Sequence, residues 1–313
     1  MPKVSVLLPV YNGELFLKEA IESILSQTFR DFEFIIVDDG STDGTPAILE
    51  HYQQMDDRIQ IYRHGHRGLV PSLKRGCHLA RGEYIARMDA DDVSLPERLA
   101  RQVEYLETHP EIGVLGCAVQ IIDGRGKKTR ILQFPTEHAV LKWRLCFFIS
   151  FTFAHPAVVM RRDLVERVGG YNPEMGHPED YELWRRLSWL TRLSNLSDVL
   201  FYLRKHEANY TRVPLHLMEQ IKNGIKVSQL MVSQVLDEEI PVELIQLLCT
   251  LEFKTWNDVK RVSGLVYRIY QAMMADRTLV GAEKQMIRLD AFKQVLLLMA
   301  ETVKKPLHRM LYQ

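Results

Sequence analysis

The chain has 313 residues, 46% hydrophobic and 26% charged, enough to bury a sizeable core as one large domain or as one domain with an appendage. Forty basic residues balance forty acidic ones, which removes any global charge argument for nucleic acid as a partner. Four scattered cysteines (Cys77, Cys117, Cys146, Cys249) lack C-x-x-C spacing, which argues against a zinc site and a disulfide framework and fits a reducing cytoplasm.

The N-terminus enters an apolar run at once and shows no basic, apolar and small-residue succession of a signal peptide, so no secretion is expected. Val4 to Val10 is too short and too continuously apolar for an amphipathic helix, and Pro9 would break one. The run predicts a strand buried on both faces. Asn12-Gly13 turns the chain into a helix whose Leu17, Ala20, Ile21, Ile24 and Leu25 form a core-facing stripe. Phe32 to Val37 predicts a second strand, ended by the polar, glycine-rich loop Asp38 to Gly44; Thr45 reads as an N-cap with Pro46 at the first helical position. Strand Ile59 to Tyr62, a helix over Leu69 to Ala80 and strand Tyr84 to Met88 repeat the unit.

Four strands alternating with three helices predict parallel βαβ units with right-handed crossovers, in which ligands bind beyond the carboxyl ends of the strands. Three polar clusters fall at such ends and are expected to share one cleft: Tyr11-Asn12-Gly13, Asp38-Asp39 and Asp89-Ala90-Asp91-Asp92. No glycine-rich phosphate loop follows the first strand, so acidic residues must do the binding. Clustered carboxylates raise one another's pKa unless a cation sits among them, and hard oxygen ligands suit Mg²⁺ or Mn²⁺ carrying substrate phosphates. The last cluster therefore predicts a divalent metal and a phosphate-bearing ligand; alone, it also reads as an acidic turn capping the helix that starts near Pro96.

Beyond Pro96 a helix is expected to about Glu107, then a β-hairpin of Gly113 to Ile122 and Thr129 to Phe134 around Asp123-Gly124-Arg125-Gly126. Leu145 to Met160 is uncharged, but it is interrupted by polar residues and Pro156 and is shorter than the roughly 20 residues of a spanning helix, so it reads as buried strand and loop. Glu179 to Leu187 predicts a helix with Leu183, Trp184 and Leu187 as its stripe. Acidic residues in its first turn complement the helix dipole, worth about 0.3 to 1 kcal/mol. From Pro214 the chain becomes helix-rich, with stripes at Met218, Ile221 and Ile225, Leu244 to Phe253, Val259 to Met274 and Met286 to Met299. The expected division is 1–212, with halves of about 1–95 and 96–212, followed by a helical region 213–313.

Four segments, in this order and spacing, resemble glycosyltransferase family 2, the inverting enzymes of GT-A fold: Val4 to Asn12, Ile36 to Thr45, Ala80 to Asp92, and Glu179 to Trp184. The resemblance covers roughly residues 3–211 and implies a mostly parallel sheet flanked by helices, here with an all-helical C-terminal appendage. It implies that the backbone at Pro9 and Val10 and the ring of Tyr11 hold the nucleotide base, that Asp39 accepts a hydrogen bond from it as suits uracil, and that Asp89 contacts the ribose. Asp91 would hold Mn²⁺ or Mg²⁺, with His206 as a further ligand and Asp92 as support or cap. Asp180 would be the general base, and Glu179, about 100° away on the helix, would orient donor or acceptor. Lys74 departs from the asparagine common at that position. His155 is assigned mainly to the core.

The expected activity is transfer of a sugar from a nucleotide-sugar donor, UDP-linked by preference, to a saccharide or lipid-linked acceptor, as in cell-surface polysaccharide synthesis. A cytoplasmic location is expected, with Lys304 to Leu311 a candidate for peripheral contact with an anionic membrane. Two alternatives stand beside it. Asp89-Ala90-Asp91-Asp92-Val93 fits the D-x-D-x-[TV] pattern of haloacid-dehalogenase-like phosphatases, although there the motif ends the first strand. A noncatalytic sugar-nucleotide-binding protein would keep the donor site without needing Asp180.

Overall fold

The computed structural model describes residues 1–147, 152–206 and 214–292. The chain divides into two compact units, Met1–Thr136 with Thr152–Gln220, and Glu137–Phe151 with Ile221–Gln313.

In the first unit β1 (Val4–Val10) and β2 (Phe32–Asp38) are buried at every residue, as continuous apolar runs require. β1 pairs in parallel with β2 and with β4 (Tyr84–Arg87), and β2 with β3 (Ile59–Arg63), giving the order β3-β2-β1-β4. Helices α1 (Leu17–Leu25), α2 (Thr45–Met55) and α3 (Leu69–Leu79) connect these strands. The register sets Val10 opposite Asp38 and Leu7 opposite Arg87, so the chain leaves β1, β2 and β4 on the same edge of the sheet. Close approach of α3 to β1 depends on Gly76, where an added Cβ would fall 2.0 Å from Leu7 Cδ1.

Most boundaries lie within a residue or two of expectation, and the start of α2 differs for a physical reason. α2 is capped by Gly44 and begins at Thr45, because the Thr45 hydroxyl accepts the Gly13 N–H while Asp43 Oδ1 accepts the Thr45 N–H.

Past β4 the sheet becomes mixed. β8 (Val159–Arg161) runs antiparallel to β4 and to β6 (Ile112–Asp123), and β9 (Arg192–Lys205) runs parallel to β6. β5 (Val93–Ser94) is antiparallel to β9, and β7 (Lys128–Leu132) forms the expected hairpin with β6. Among the described residues nine strands make one sheet. Helix α4 (Arg98–Thr108) buries Leu99, Val103 and Leu106; α7 (Glu179–Leu187) buries the predicted Leu183, Trp184 and Leu187. β8 begins inside the stretch read as buried strand and loop, whereas β5, β9, the helix over 138–144 and α6 (Arg162–Arg167) were not predicted; β9 hides its period because its pairing with β6 shifts register three times. Of the uncharged stretch 145–160, residues 148–151 lie outside the described residues, and the rest holds a short turn at His155–Ala157 and the start of β8.

The second unit contains α5 (His138–Arg144), α9 (Val242–Thr250), α10 (Trp256–Ala275) and a helix over 281–292; α8 (Pro214–Leu236) starts in the first unit and ends in the second. Thr255 and Asp258 form a capping box at the start of α10. Lys142 and Arg144 of α5 pair with Asp276 and Asp290, at 3.7 and 2.6 Å. Of the predicted stripes, Ile225 is buried, whereas Met218 is 71% exposed. The far half of the stripe ending at Met299, and the basic segment Lys304 to Leu311, lie outside the described residues. No described helix is long and apolar enough to cross a membrane.

Candidate active site

Two of the three polar clusters are tied together by short hydrogen bonds. Asn12 donates its N–H to Ser41 Oγ (2.9 Å) and accepts the Thr42 N–H at Oδ1 (2.8 Å), and the Val10 carbonyl accepts the Asp39 N–H (2.9 Å). Pro9 and Val10 are buried; Tyr11 is 47% exposed and stacks on the His66 ring with centroids 4.0 Å apart. Asp39 is buried, and its carboxylate accepts the N–H groups of Arg67 and Gly68, both at 2.8 Å. His64 Nδ1 and His66 Nδ1 approach it at 3.2 and 2.8 Å. The loop over 64–68 thus closes on the carboxyl end of β2. Lys74 is exposed on α3 and is not among the residues that line the cleft described below.

The third cluster follows β4. Asp89, Asp91 and Asp92 offer oxygens that all lie within 4.8 Å of one another. Arg204 at the end of β9 organises them: its N–H donates to Asp92 Oδ1 (2.7 Å), and its Nε donates to the Asp91 carbonyl (2.7 Å). His206 Nε2 lies 2.9 Å from Asp91 Oδ2. Burial, reinforced by the charge of Asp89, raises the pKa of Asp91; Asp92 is pushed well above the carboxylate range by burial and by the charges of Asp91 and Asp89. Asp92 Oδ2 is buried without a hydrogen-bond partner. Three hard oxygen donors, one of them orphaned, match the donor set that Mg²⁺ or Mn²⁺ takes, and a dication would remove the repulsion that the bare cluster carries.

Arg87, two residues before Asp89, is 2% exposed. Its Nη1 lies 2.5 Å from Asp89 Oδ1. Burial opposes its charge, but Asp89 above all, with Tyr171 and Glu179, keeps its pKa above the ordinary arginine value.

The acidic pair of α7 splits as neighbours on a helix must. Glu179 is 3% exposed and sits between His155 Nδ1 (3.4 Å) and His177 Nδ1 (2.6 Å). His155 Nε2 in turn meets the Tyr171 hydroxyl at 2.8 Å. Burial alone would raise the Glu179 pKa, yet the two imidazoles hold it well below the carboxylate range. Asp180 is partly exposed and accepts its neighbour Tyr181 N–H at 2.7 Å; burial, with the charge of Glu179, raises its pKa against the opposing influence of His155.

Acid cluster and acidic pair open on one cleft of about 570 Å³. Asp89, Asp91, Asp92, Glu179 and Asp180 line it, together with Leu69, which follows the Gly68 bound to Asp39. His206 touches Asp91 without itself lining the cleft, and Pro9, Val10, Tyr11 and Asp39, at and just past the ends of β1 and β2, are not among its lining residues, so the expected single cleft holds only one of the three polar clusters. The cleft also holds Arg87, His155, His177, Arg204 and Lys205. His155, assigned mainly to the core, is therefore a cleft residue that is also hydrogen-bonded. Arg87, His177, Arg204 and Lys205 were not foreseen as site residues. A signal existed for Arg87 alone, since an arginine inside the apolar run of β4 demands a buried counter-charge.

Comparison with known proteins follows the same outline. The family described as "Glycosyl transferase family 2" matches residues 5–169. The O-antigen biosynthesis glycosyltransferase WbnJ of Escherichia coli is 31% identical over 223 residues, covering 69% of this chain and 85% of that protein. Among solved structures, S. aureus TarS 1–349 in complex with UDP-GlcNAc has a TM-score of 0.61 at 20% identity, covering 87% of this chain and 81% of that one. The mannosyltransferase PcManGT from Pyrobaculum calidifontis, in complex with GDP-Man and Mn²⁺, has a TM-score of 0.56 at 20% identity, covering 94% and 81%. At that identity the two structures speak for the fold, which is the GT-A-like mixed sheet flanked by helices. A haloacid-dehalogenase-like phosphatase finds no support, because the acidic motif follows the fourth strand of a sheet whose match lies elsewhere. The chain belongs to glycosyl transferase family 2 and is a glycosyltransferase.

Proposed function

We propose that the enzyme transfers a sugar with inversion from a UDP-linked donor to a hydroxyl of a saccharide or lipid-linked acceptor, in the synthesis of a cell-surface polysaccharide. One observation carries the reading: the acid cluster after β4 and Asp180 of α7 line the same cleft. Single displacement with inversion needs two such groups on opposite sides of an anomeric carbon, one beside the leaving diphosphate and one beside the incoming hydroxyl. WbnJ supports a polysaccharide product, and TarS and PcManGT support a nucleotide-sugar donor. The preference for UDP rests on TarS and on Asp39, whose carboxylate suits an N–H edge.

In this reading Asp91, with Asp89 and Asp92 beside it and His206 within reach, holds Mn²⁺ or Mg²⁺. Such an ion, when bound, neutralises charge on the departing diphosphate. Pro9, Val10, Tyr11 and Asp39 take the nucleoside base, and Asp89 the ribose. Asp180 accepts the acceptor's hydroxyl proton as the new C–O bond forms and the bond to the diphosphate breaks. Burial and the Glu179 charge, by raising the Asp180 pKa, make it a stronger base than an exposed aspartate. Glu179 acts on the substrates through His155 and His177, which cover its oxygens. The enzyme would work at the inner face of the membrane, where a lipid-linked acceptor is met.

The test is transfer by the purified chain with Mn²⁺ and a panel of UDP-sugars. Asp180→Asn is expected to lower kcat by about 10²- to 10⁴-fold while UDP binding, measured by calorimetry, changes less than about twofold. Chelation of Mn²⁺ should abolish both UDP binding and turnover. Unchanged turnover in Asp180→Asn would remove the proposed base.

A further inference from the structure

Arg87 has more donors than its surroundings use. It is 2% exposed at the end of β4, and it lines the cleft. Its backbone is fixed on both sides: its N–H donates to the Val158 carbonyl (3.0 Å), and its own carbonyl accepts Arg98 Nη2 (2.8 Å) from another buried arginine. The guanidinium is less well served. Nη1 is close to Asp89 Oδ1 without hydrogen-bond geometry, and neither Nη1 nor Nε has a hydrogen-bond acceptor among the described residues. A buried guanidinium with unsatisfied N–H groups is costly, and although Nε and Nη1 are themselves enclosed, the side chain lines the cleft, so an acceptor brought by a ligand there would relieve that cost.

The position narrows the choice. Arg87 stands beside Asp89 and lines the same cleft as His155, Glu179 and Asp180. In the reading proposed above, on which this inference rests, the donor's diphosphate lies over the acid cluster and the attacked carbon faces Asp180. The part of the donor between them is the sugar ring. Its hydroxyl oxygens are acceptors, which suits a side chain that has five N–H donors and no acceptor.

We propose that Arg87 reads the transferred sugar: anchored by Asp89, its guanidinium donates hydrogen bonds to hydroxyl oxygens of the hexose held between the acid cluster and Asp180. It is a specificity-determining contact, and strand β4 supplies it pre-positioned.

The full chain with Mn²⁺ is first assayed with UDP-glucose, UDP-galactose and UDP-N-acetylglucosamine, and the best donor is taken forward with UDP as its sugar-free control. Arg87→Lys and Arg87→Gln are expected to leave the UDP Kd within about twofold and to raise the donor Kd and KM by about 10- to 100-fold, the range of a charge-assisted hydrogen bond. Deoxy analogues of the donor add a readout that needs no variant. With the wild-type enzyme, at least one deoxy position should bind about tenfold or more weakly, and the matching deoxyfluoro sugar, which still accepts but does not donate, should recover part of the loss. In Arg87→Lys that deoxy penalty should vanish. Equal weakening of UDP and donor in the variants, or a deoxy penalty that survives the substitution, would overturn the role. So would a wild-type enzyme indifferent to every deoxy position, which decides the matter even if the variants fail to fold. Wild-type protein that binds no UDP with Mn²⁺ would instead bring down the donor assignment on which this role depends.

Discussion

A carboxylate in the first turn of a helix has a ready explanation in the helix dipole, yet Glu179 is buried between two imidazoles. The pair His177–Glu179 has opposite linkage at its two ends. Glu179 titrates below its ordinary 4.5, so it contributes stability that is present above pH 4.5 and is lost as pH falls through the folded value. Burial lowers the His177 pKa, but contact with Glu179 outweighs it and raises the pKa above 6.5, so its contribution is present below pH 6.5 and is lost as pH rises through the folded value. Glu179→Gln should therefore cost most between pH 4.5 and 6.5, and less on either side. The cost there should be about 3 kcal/mol, the lower end for breaking a buried pair, because the His177 imidazole can shed its proton. Melting curves of both proteins from pH 3 to pH 9 check this; a difference independent of pH would mean that the pair carries no charge. At this scale the residues within contiguous motifs, Asp89, Asp91 and Asp180, were legible in the chain as candidates, and all three line the cleft. His177 was not, and Arg87 only as a cation in an apolar run, because what brings each to the cleft is a partner or a wall assembled from β4, the turn at His155 and the start of α7.

Elements were legible where one face differs from the other or where a run is uniformly apolar, and illegible where neither holds. β1 to β4 and α1 to α3 follow the two rules, and each was expected close to where it lies. α5 is buried at six of its seven residues, from His138 to Trp143, so it has no stripe to betray it, and the charged Lys142 among them disguises the burial. Packing between elements also sets a prediction that propensity alone would get wrong. Alanine is a better helix residue than glycine by about 1 kcal/mol, and at Gly264 of α10, where a Cβ meets nothing within 4 Å, Gly264→Ala should stabilise by about 0.5 to 1 kcal/mol. At Gly76 the same methyl would fall 2.0 Å from Cδ1 of the fully buried Leu7, and 3.0 Å from its Cδ2 and Cγ, so the whole end of that side chain would have to shift within the core. Overpacking costs about 1 to 3 kcal/mol, and so severe an overlap belongs at the upper end, leaving Gly76→Ala a net loss of about 2 kcal/mol. Urea titrations should show the two midpoints moving in opposite directions at constant slope. Equal shifts of one sign would mean that α3 does not press on β1 as described.

Over the whole chain, the feature that composition marks most clearly is the turn to helix-rich sequence near 212, and a truncation there is the natural first experiment. The compact units divide differently, because the segment 137–151 groups with the residues after 220 although it lies between β7 and β8 in the chain. Its α5 makes ion pairs with Asp276 and Asp290, and its Trp143 is fully buried. Ending the chain at 212 would take away both carboxylates, Asp276 beside the already buried Lys142 among them, and uncover apolar side chains worth about 1.5 to 3 kcal/mol each when buried. A few such losses equal the total stability of an ordinary domain, about 5 to 15 kcal/mol. The truncated chain should therefore aggregate, or melt well below the full chain. Replacing the apolar residues of α5 with polar ones in the truncated chain should restore solubility and leave Mn²⁺-dependent UDP binding in place, since every residue proposed to hold the donor or the metal precedes residue 212 and only Gln220 of the cleft lining is lost. Size-exclusion chromatography and calorimetry of the two truncated forms decide the point: an unmodified 1–212 chain that is monomeric, with the melting temperature of the full protein, would show that α5 does not depend on the helices after 220.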